Sequence, residues 1–367
     1  MSPEFRTKVV SGLQSKRRWL ALEAVFLVAA LALAIGHADS HAAPPTAPPS
    51  LEQTGLYSSW DAKVVDPNLI AYSPQYPLWT DGAIKRRWIS LPSGGVIDGS
   101  DPDAWRFPIG TRFWKEFSFG GHPVETRYIE LLPDGQWLYA SYHWSVDGSD
   151  ATLVAQAGLR HAYSLGNKKW HAIPSVDDCR ACHEGQPSQV LGFSALQLSA
   201  DRDPEALHAE PSGEAGINLE SLVRKGLIAG VADVRPRIRA RSEIERAALG
   251  YLHGNCGHCH NTRGNLVNLG MFLKQEILTA PGTVLDSLVG DPVMKPAPSQ
   301  SPKAQQRIAM GSPERSAVID RMSSRYALLQ MPPLGTSLVD DEAVALVSKW
   351  IEELSFEQVE DPAMVPE

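Results

Sequence analysis

Two periodicities divide the chain. Between about residues 56 and 170 apolar side chains recur at every second position. Arg112–Phe119 sets Phe113, Phe117 and Phe119 on one face, with Lys115 breaking it. Val124–Leu132 and Trp137–Trp144 alternate on either side of Pro133-Asp134-Gly135-Gln136. That combination predicts a β-hairpin, because Pro pre-sets φ and Gly accepts the left-handed turn position. Ile84–Leu91 and Ala151–Gly158 read as further strands. Short strands joined by Gly/Pro turns, without a helical period, predict a β-sandwich-like domain.

Beyond residue 170 the period lengthens. Ser175 followed by Asp177 and Asp178 starts a short helix over Cys179–His183. Leu196, Leu198, Leu219, Leu222 and Leu227 supply apolar cover downstream. Arg241–His253 aligns Ile244, Ala247, Ala248, Tyr251 and Leu252 on one stripe that runs into Cys256. Ser312-Pro313-Glu314 has the composition of a helix start, with Val318, Ile319 and Met322 as its inner face. A closing helix opens at Asp340-Asp341 and buries Val344, Val347, Trp350, Ile351 and Leu354. Pro292–Lys303 is Pro-rich and polar, a surface loop. The fold class expected is α+β and multidomain, a β-sandwich-like domain followed by helical segments.

The first 42 residues obey a different rule. Arg6, Lys8, Lys16, Arg17 and Arg18 precede an apolar run from Trp19 to Ile35, broken only by Glu23, and Ala38, Ala42 and Ala43 follow. Charged region, apolar region and small-residue exit make a secretory signal peptide; the run also suits an uncleaved anchor. The organisation expected is 1–42 signal, 43–55 Pro-rich linker, 56–170 β-rich, 171–238 a first cofactor segment and 239–356 a closing domain.

Composition narrows the class. The chain has 367 residues, 43% hydrophobic and 21% charged, enough apolar mass for more than one core. A net charge of −8 argues against a nucleic-acid partner. All four cysteines fall into two copies of one pattern, Cys179-Arg180-Ala181-Cys182-His183 and Cys256-Gly257-His258-Cys259-His260. Cys-x-x-Cys-His is the attachment site of c-type haem. Each thiol forms a thioether, and the His becomes an axial ligand of the iron. A structural zinc site prefers paired motifs about 15–20 residues apart and has no use for the His after each. Disulfides leave those His residues unexplained in the same way, and a redox dithiol is expected near a βαβ pattern, which this chain does not show. The expected cofactors are two covalently bound haem c, with His183 and His260 on the irons. Export agrees, placing the protein in the periplasm.

For the second haem, Met331 in Met331-Pro332-Pro333-Leu334-Gly335 is the expected distal ligand, on a loop stiffened by Pro; Met310 and Met322 are its rivals. The first haem has no evident partner. His161, His171 and His208 are the nearest histidines, each better explained as a surface or loop residue. Asp81, Asp98, Asp101, Asp103, Asp134, Asp147 and Asp150 stand beside Gly, Ser or Pro and read as turn closers, and the Trp residues as core. No catalytic constellation emerges.

Cys256–Leu354, through its Cys-x-x-Cys-His motif, Met331 and closing helix, resembles a class I cytochrome c domain. From about Tyr57 to Leu354 the chain resembles a family of bacterial two-haem (dihaem) c-type cytochromes with an N-terminal β domain. The matching stretches are Tyr76-Pro77-Leu78-Trp79-Thr80-Asp81, Phe107-Pro108-Ile109-Gly110-Thr111, Ile173-Pro174-Ser175, Val190-Leu191-Gly192-Phe193, Arg315-Ser316 and the Met331 loop. Some relatives carry sugar-dehydrogenase-like domains that this chain lacks, and its Pro292–Lys303 loop departs from the pattern. The resemblance implies periplasmic electron transfer and leaves the redox partner proteins open; a non-catalytic electron carrier is the leading expectation. Two alternatives stand beside it. One is a two-haem peroxidase-like oxidoreductase with an open first iron; the other is a haem-bearing docking subunit of a dehydrogenase.

Overall fold

The computed structural model describes residues 46–210, 216–233, 235–277, 283–293 and 301–354. The expected signal segment, and most of the Pro292–Lys303 loop, lie outside them. The architecture is α+β, an antiparallel β-sheet region followed by a mixed region with several helices.

Among the described residues, eleven strands precede the first α-helix: β1 (Tyr57–Ser59), β2 (Val64–Val65), β3 (Ile70–Ala71), β4 (Ile84–Ser90), β5 (Ile97–Asp98), β6 (Arg112–Phe119), β7 (His122–Leu131), β8 (Trp137–Trp144), β9 (Ala151–Leu153), β10 (Leu159–Gly166) and β11 (Lys169–Ile173). Six of them form one antiparallel sheet in the order β3-β4-β6-β7-β8-β9. β1 and β2 pair as a ribbon, β10 and β11 as a second one. β5 pairs in parallel with β12 (Ile228–Ala229).

Register explains the two faces. Trp88, Trp114, Tyr128 and Ala140 stand opposite one another across four strands. With Tyr142 and Trp144 they form a core closed by Leu51, Leu56 and Ala151. The stretch read as linker is therefore, from Ala47, packed on the sheet. Tyr142 Oη donates to the Pro48 carbonyl (2.9 Å), and Trp114 Nε1 to Thr54 Oγ1 (2.9 Å). The opposite face carries Ile89, Phe113, Ile129 and Tyr139 in one cross-strand row. That row packs against Tyr72, Trp105, Val190, Phe193, Leu198 and Leu222. One sheet is thus buried on both sides, by ribbon and loop on one and by later segments on the other.

The helices are α1 (Val176–His183), α2 (Leu219–Arg224), α3 (Glu243–Asn255), α4 (Thr283–Asp286), α5 (Ala317–Ser323) and α6 (Asp341–Glu353). Ser175 caps α1 with a full capping box, its Oγ accepting from Asp178 N while Asp178 accepts from the Ser175 backbone. Ser242 and Asp340 cap α3 and α6. The helix expected from Ser312 begins later. Pro313–Arg315 is a single 3-10 turn, Ser312 makes no side-chain cap, and α5 starts at Ala317. Ser316 intervenes because its Oγ is engaged by Ala309 N (2.9 Å). Leu249, Leu252, Val318, Met322, Val347, Trp350 and Ile351 form the helical core, and Tyr76, Trp79 and Leu196 join it from earlier in the chain. Tyr76 lies on α3 where Gly250 and Gly254 leave room: a Cβ on the first would enter its ring, and one on the second would strike its carbonyl.

Among the described residues, no helix is long and apolar enough to cross a membrane.

Candidate cofactor sites at the two Cys-x-x-Cys-His motifs

The first motif ends α1. Its cap fixes the helix start, which brings Cys179, Cys182 and His183 to one side of a cavity of about 320 Å³. The sheet contributes Lys115, Arg127, Ile129 and Tyr139 to its lining, and Pro332–Thr336 joins them from the loop before α6. His183 Nδ1 donates to the Gln189 carbonyl at 2.6 Å, and its ring stands 5.2 Å from that of Tyr139. A carbonyl only accepts, so Nδ1 holds the proton and Nε2 keeps its lone pair. Burial pushes the His183 pKa down to about 4, keeping the ring neutral.

The second motif follows α3 without a break. Cys256 caps the helix, and the Cys259 and His260 amides both bond back to the Cys256 carbonyl, at 3.1 and 2.9 Å. Cys256, Cys259 and His260 border a second cavity of about 320 Å³, lined mainly by Met271, Leu273, Val318, Met322 and Met331, with Arg307 and Arg321 at its edge. His260 is also held down near 4, chiefly by burial. Its buried Nδ1 has the Met271 backbone as polar neighbour but closes no hydrogen bond of full geometry. Met331 lies on this cavity, anchored by its amide to the Arg321 carbonyl (3.0 Å). Of its rivals Met322 also lines the cavity, whereas Met310 packs into the helical core instead.

The two sites touch. His258, Cys259, Leu266, Pro332 and Pro333 line both cavities, so a single wall divides them. Cys182 and Cys259 face each other across it. Their hydrogen bond, with burial, pushes Cys182 up to about 12 and lowers Cys259. Asn261 Nδ2 ties the motifs together, donating to the carbonyls of Gly185 (2.9 Å), Gly257 (3.1 Å) and His258 (3.1 Å).

None of the three histidines considered for the first site lines its cavity. His171 is fully buried, with Nδ1 3.5 Å from Asp81 and Nε2 3.3 Å from Glu125. His208 bonds Asp340 Oδ2 at 2.9 Å, and His161 packs its edge against Trp170. The structure instead brings forward residues that sequence reasoning had passed over. Arg87, Lys115 and Arg127 stand opposite one another on β4, β6 and β7, three cations in one cross-strand row. Like charges so placed repel. Arg127 pairs with Glu125 (Nε–Oε1 2.6 Å), which continues to His171 and Asp81. Asp81 is no turn closer alone: its Oδ1 accepts from Ser337 N (2.6 Å) and Leu338 N (2.9 Å). Lys115, seen in the sequence only as an interruption of an apolar face, was the one legible signal of this row.

These donor sets suit a large apolar group with a metal at its centre, anchored by two sulfurs and bound by one neutral imidazole. Cavities of this size are typical of cofactor sites. Among the described residues, no group of three or more His, Cys, Asp or Glu side chains is placed to cage a metal ion by itself. No family model, curated protein or solved structure matches the chain.

Proposed function

We propose that the chain is an exported two-haem c-type cytochrome that carries electrons between redox partner proteins. The observation that carries this reading is the pair of adjoining cavities, each bordered by its own Cys-x-x-Cys-His motif and divided by one shared wall. Haem supplies one-electron exchange at its iron when bound. Cys179 and Cys182 anchor it at the first site, and Cys256 and Cys259 at the second. His183 and His260, kept neutral by burial, each offer a lone pair to the iron. Met331 is the second ligand at the later site, where His/Met ligation raises the potential. Leu273, Val318 and Met322 keep water from that site. In this reading 239–356 is a class I cytochrome c-like domain, the N-terminal region is the β-sandwich-like domain of the two-haem family, and the protein works in the periplasm.

The test has two steps. Intact mass of the purified, exported chain should exceed the apo mass by two haems. Met331→Ala should then abolish the far-red charge-transfer band of His/Met ferric haem. A chain without covalent haem overturns the reading; a band that survives takes the ligand role from Met331 and leaves it to Met322 or Met271, the other methionines on this cavity.

A further inference from the structure

Besides His258 on the shared wall, the first cavity is lined by one imidazole, His183, and, among the described residues, by no methionine. Most other donors around it are committed. Asp178 belongs to the Ser175 cap, and the Tyr139 hydroxyl donates to Gln189 Oε1 (3.2 Å). His258, on the wall shared with the second site, is the competing ligand, which a bis-imidazole band would reveal. Asn265 carries only an amide, a poor iron ligand beside an amine or imidazole.

Lys115 is different. It lines this cavity from the sheet, flanked in register by Arg87 and Arg127; Arg127 is ion-paired with Glu125. Among the described residues its amine makes no hydrogen bond or ion pair, lying 4.9 Å from the centroid of the Phe117 ring. Burial and the neighbouring cations both favour the neutral amine. Lys115 and His183 line the same cavity.

We propose that the Lys115 amine is the second axial ligand of the iron at the first Cys-x-x-Cys-His site, His183 being the other. The ammonium gives up its proton to solvent, and the freed lone pair binds the metal. This rests on the reading that both motifs carry haem. It makes the first iron low-spin and closed to small molecules, and gives it a lower potential than the His/Met site.

Haem count by intact mass comes first, then electron paramagnetic resonance and near-infrared magnetic circular dichroism of the oxidised protein at pH 7. Wild type should show no high-spin iron, and one haem with the near-infrared band of amine–imidazole ligation. Lys115→Ala and Lys115→Arg should each turn one haem of the two high-spin, leaving the His/Met band unchanged. Arginine keeps the charge but does not deprotonate. A low-spin Lys115→Arg protein therefore reduces Lys115 to a cation and overturns the proposal. So does a high-spin first haem in wild type, the result expected of a peroxidase-like open site, or a bis-imidazole band. The wild-type spectrum decides even if the variants fail to fold. A first motif without haem overturns both this proposal and the reading beneath it; haem present with other ligation overturns this one alone.

Discussion

His171 has no exposed surface and a carboxylate at each ring nitrogen, so both nitrogens donate and the ring carries charge. Burial works against that charge, yet the bonds to Asp81 and Glu125 outweigh it and raise the pKa. Glu125 responds in the opposite sense. Burial would raise it, but Arg127 and His171 pull it down to about 2. His171→Ala leaves two buried carboxylates short of a partner, and removing one member of a buried pair costs about 3–5 kcal/mol. That loss should appear in urea unfolding at pH 6. The imidazolium's contribution is complete below the ordinary value of 6.5 and fades as pH rises through the raised folded value, so the gap to wild type should narrow at alkaline pH. Glu125 contributes above its ordinary 4.5 and loses this as pH falls through about 2, placing acid unfolding in that window. A pH-independent gap would refute the ion-pair assignment. This network was hidden in the sequence for a physical reason. Asp134 and Asp147 do close turns, accepting from the amides two residues on, and Asp81 stands in the same local company. Only distant partners set it apart.

Elements were read well where one face was apolar. β6 and β8 have the expected bounds, although both faces of each are buried; α6 buries Val347, Trp350 and Ile351 as expected, with Ala343 in place of Val344, and α1 has the expected capped start. The β10–β11 ribbon went unseen because β10 buries almost nothing and so carries no apolar alternation. β9 stops at Leu153, short of the expected Gly158, where the chain turns with Gly158 at φ +76°. On α3 the informative residues were the least conspicuous ones. Gly250 interrupts a good helical stripe, where glycine costs about 1 kcal/mol against alanine. The Tyr76 ring occupies the space a side chain would need. Gly250→Ala should therefore destabilise by about 1–3 kcal/mol in urea unfolding, through overpacking, despite its better helix propensity. A stabilised variant would mean that Tyr76 moves freely off the helix.

At the scale of the molecule, the two motifs were legible but their contact was not. Nothing in the spacing of Cys182 and Cys259 announces that they face each other, and Asn261, which bridges the motifs, looks like any loop amide. Segment boundaries drawn at residues 170 and 238 are likewise crossed by packing. Tyr76, Trp79 and Leu196 complete the helical core, and Trp79 N donates to Asn255 Oδ1 (2.7 Å) at the end of α3. Asp81 follows two residues later, with the amides of Ser337 and Leu338 bound to one of its oxygens. Those amides sit a few residues past Met331, in a stretch without helix or strand, where solvent exchange would ordinarily be fast. Their protection is borrowed from the sheet. Letting them go strands a buried carboxylate beside His171, so this irregular loop should open to deuterium only when the whole chain unfolds. Native-state hydrogen exchange at the two amides checks this: rates matching global unfolding are expected, and rapid exchange there would show that the loop moves independently of the strands.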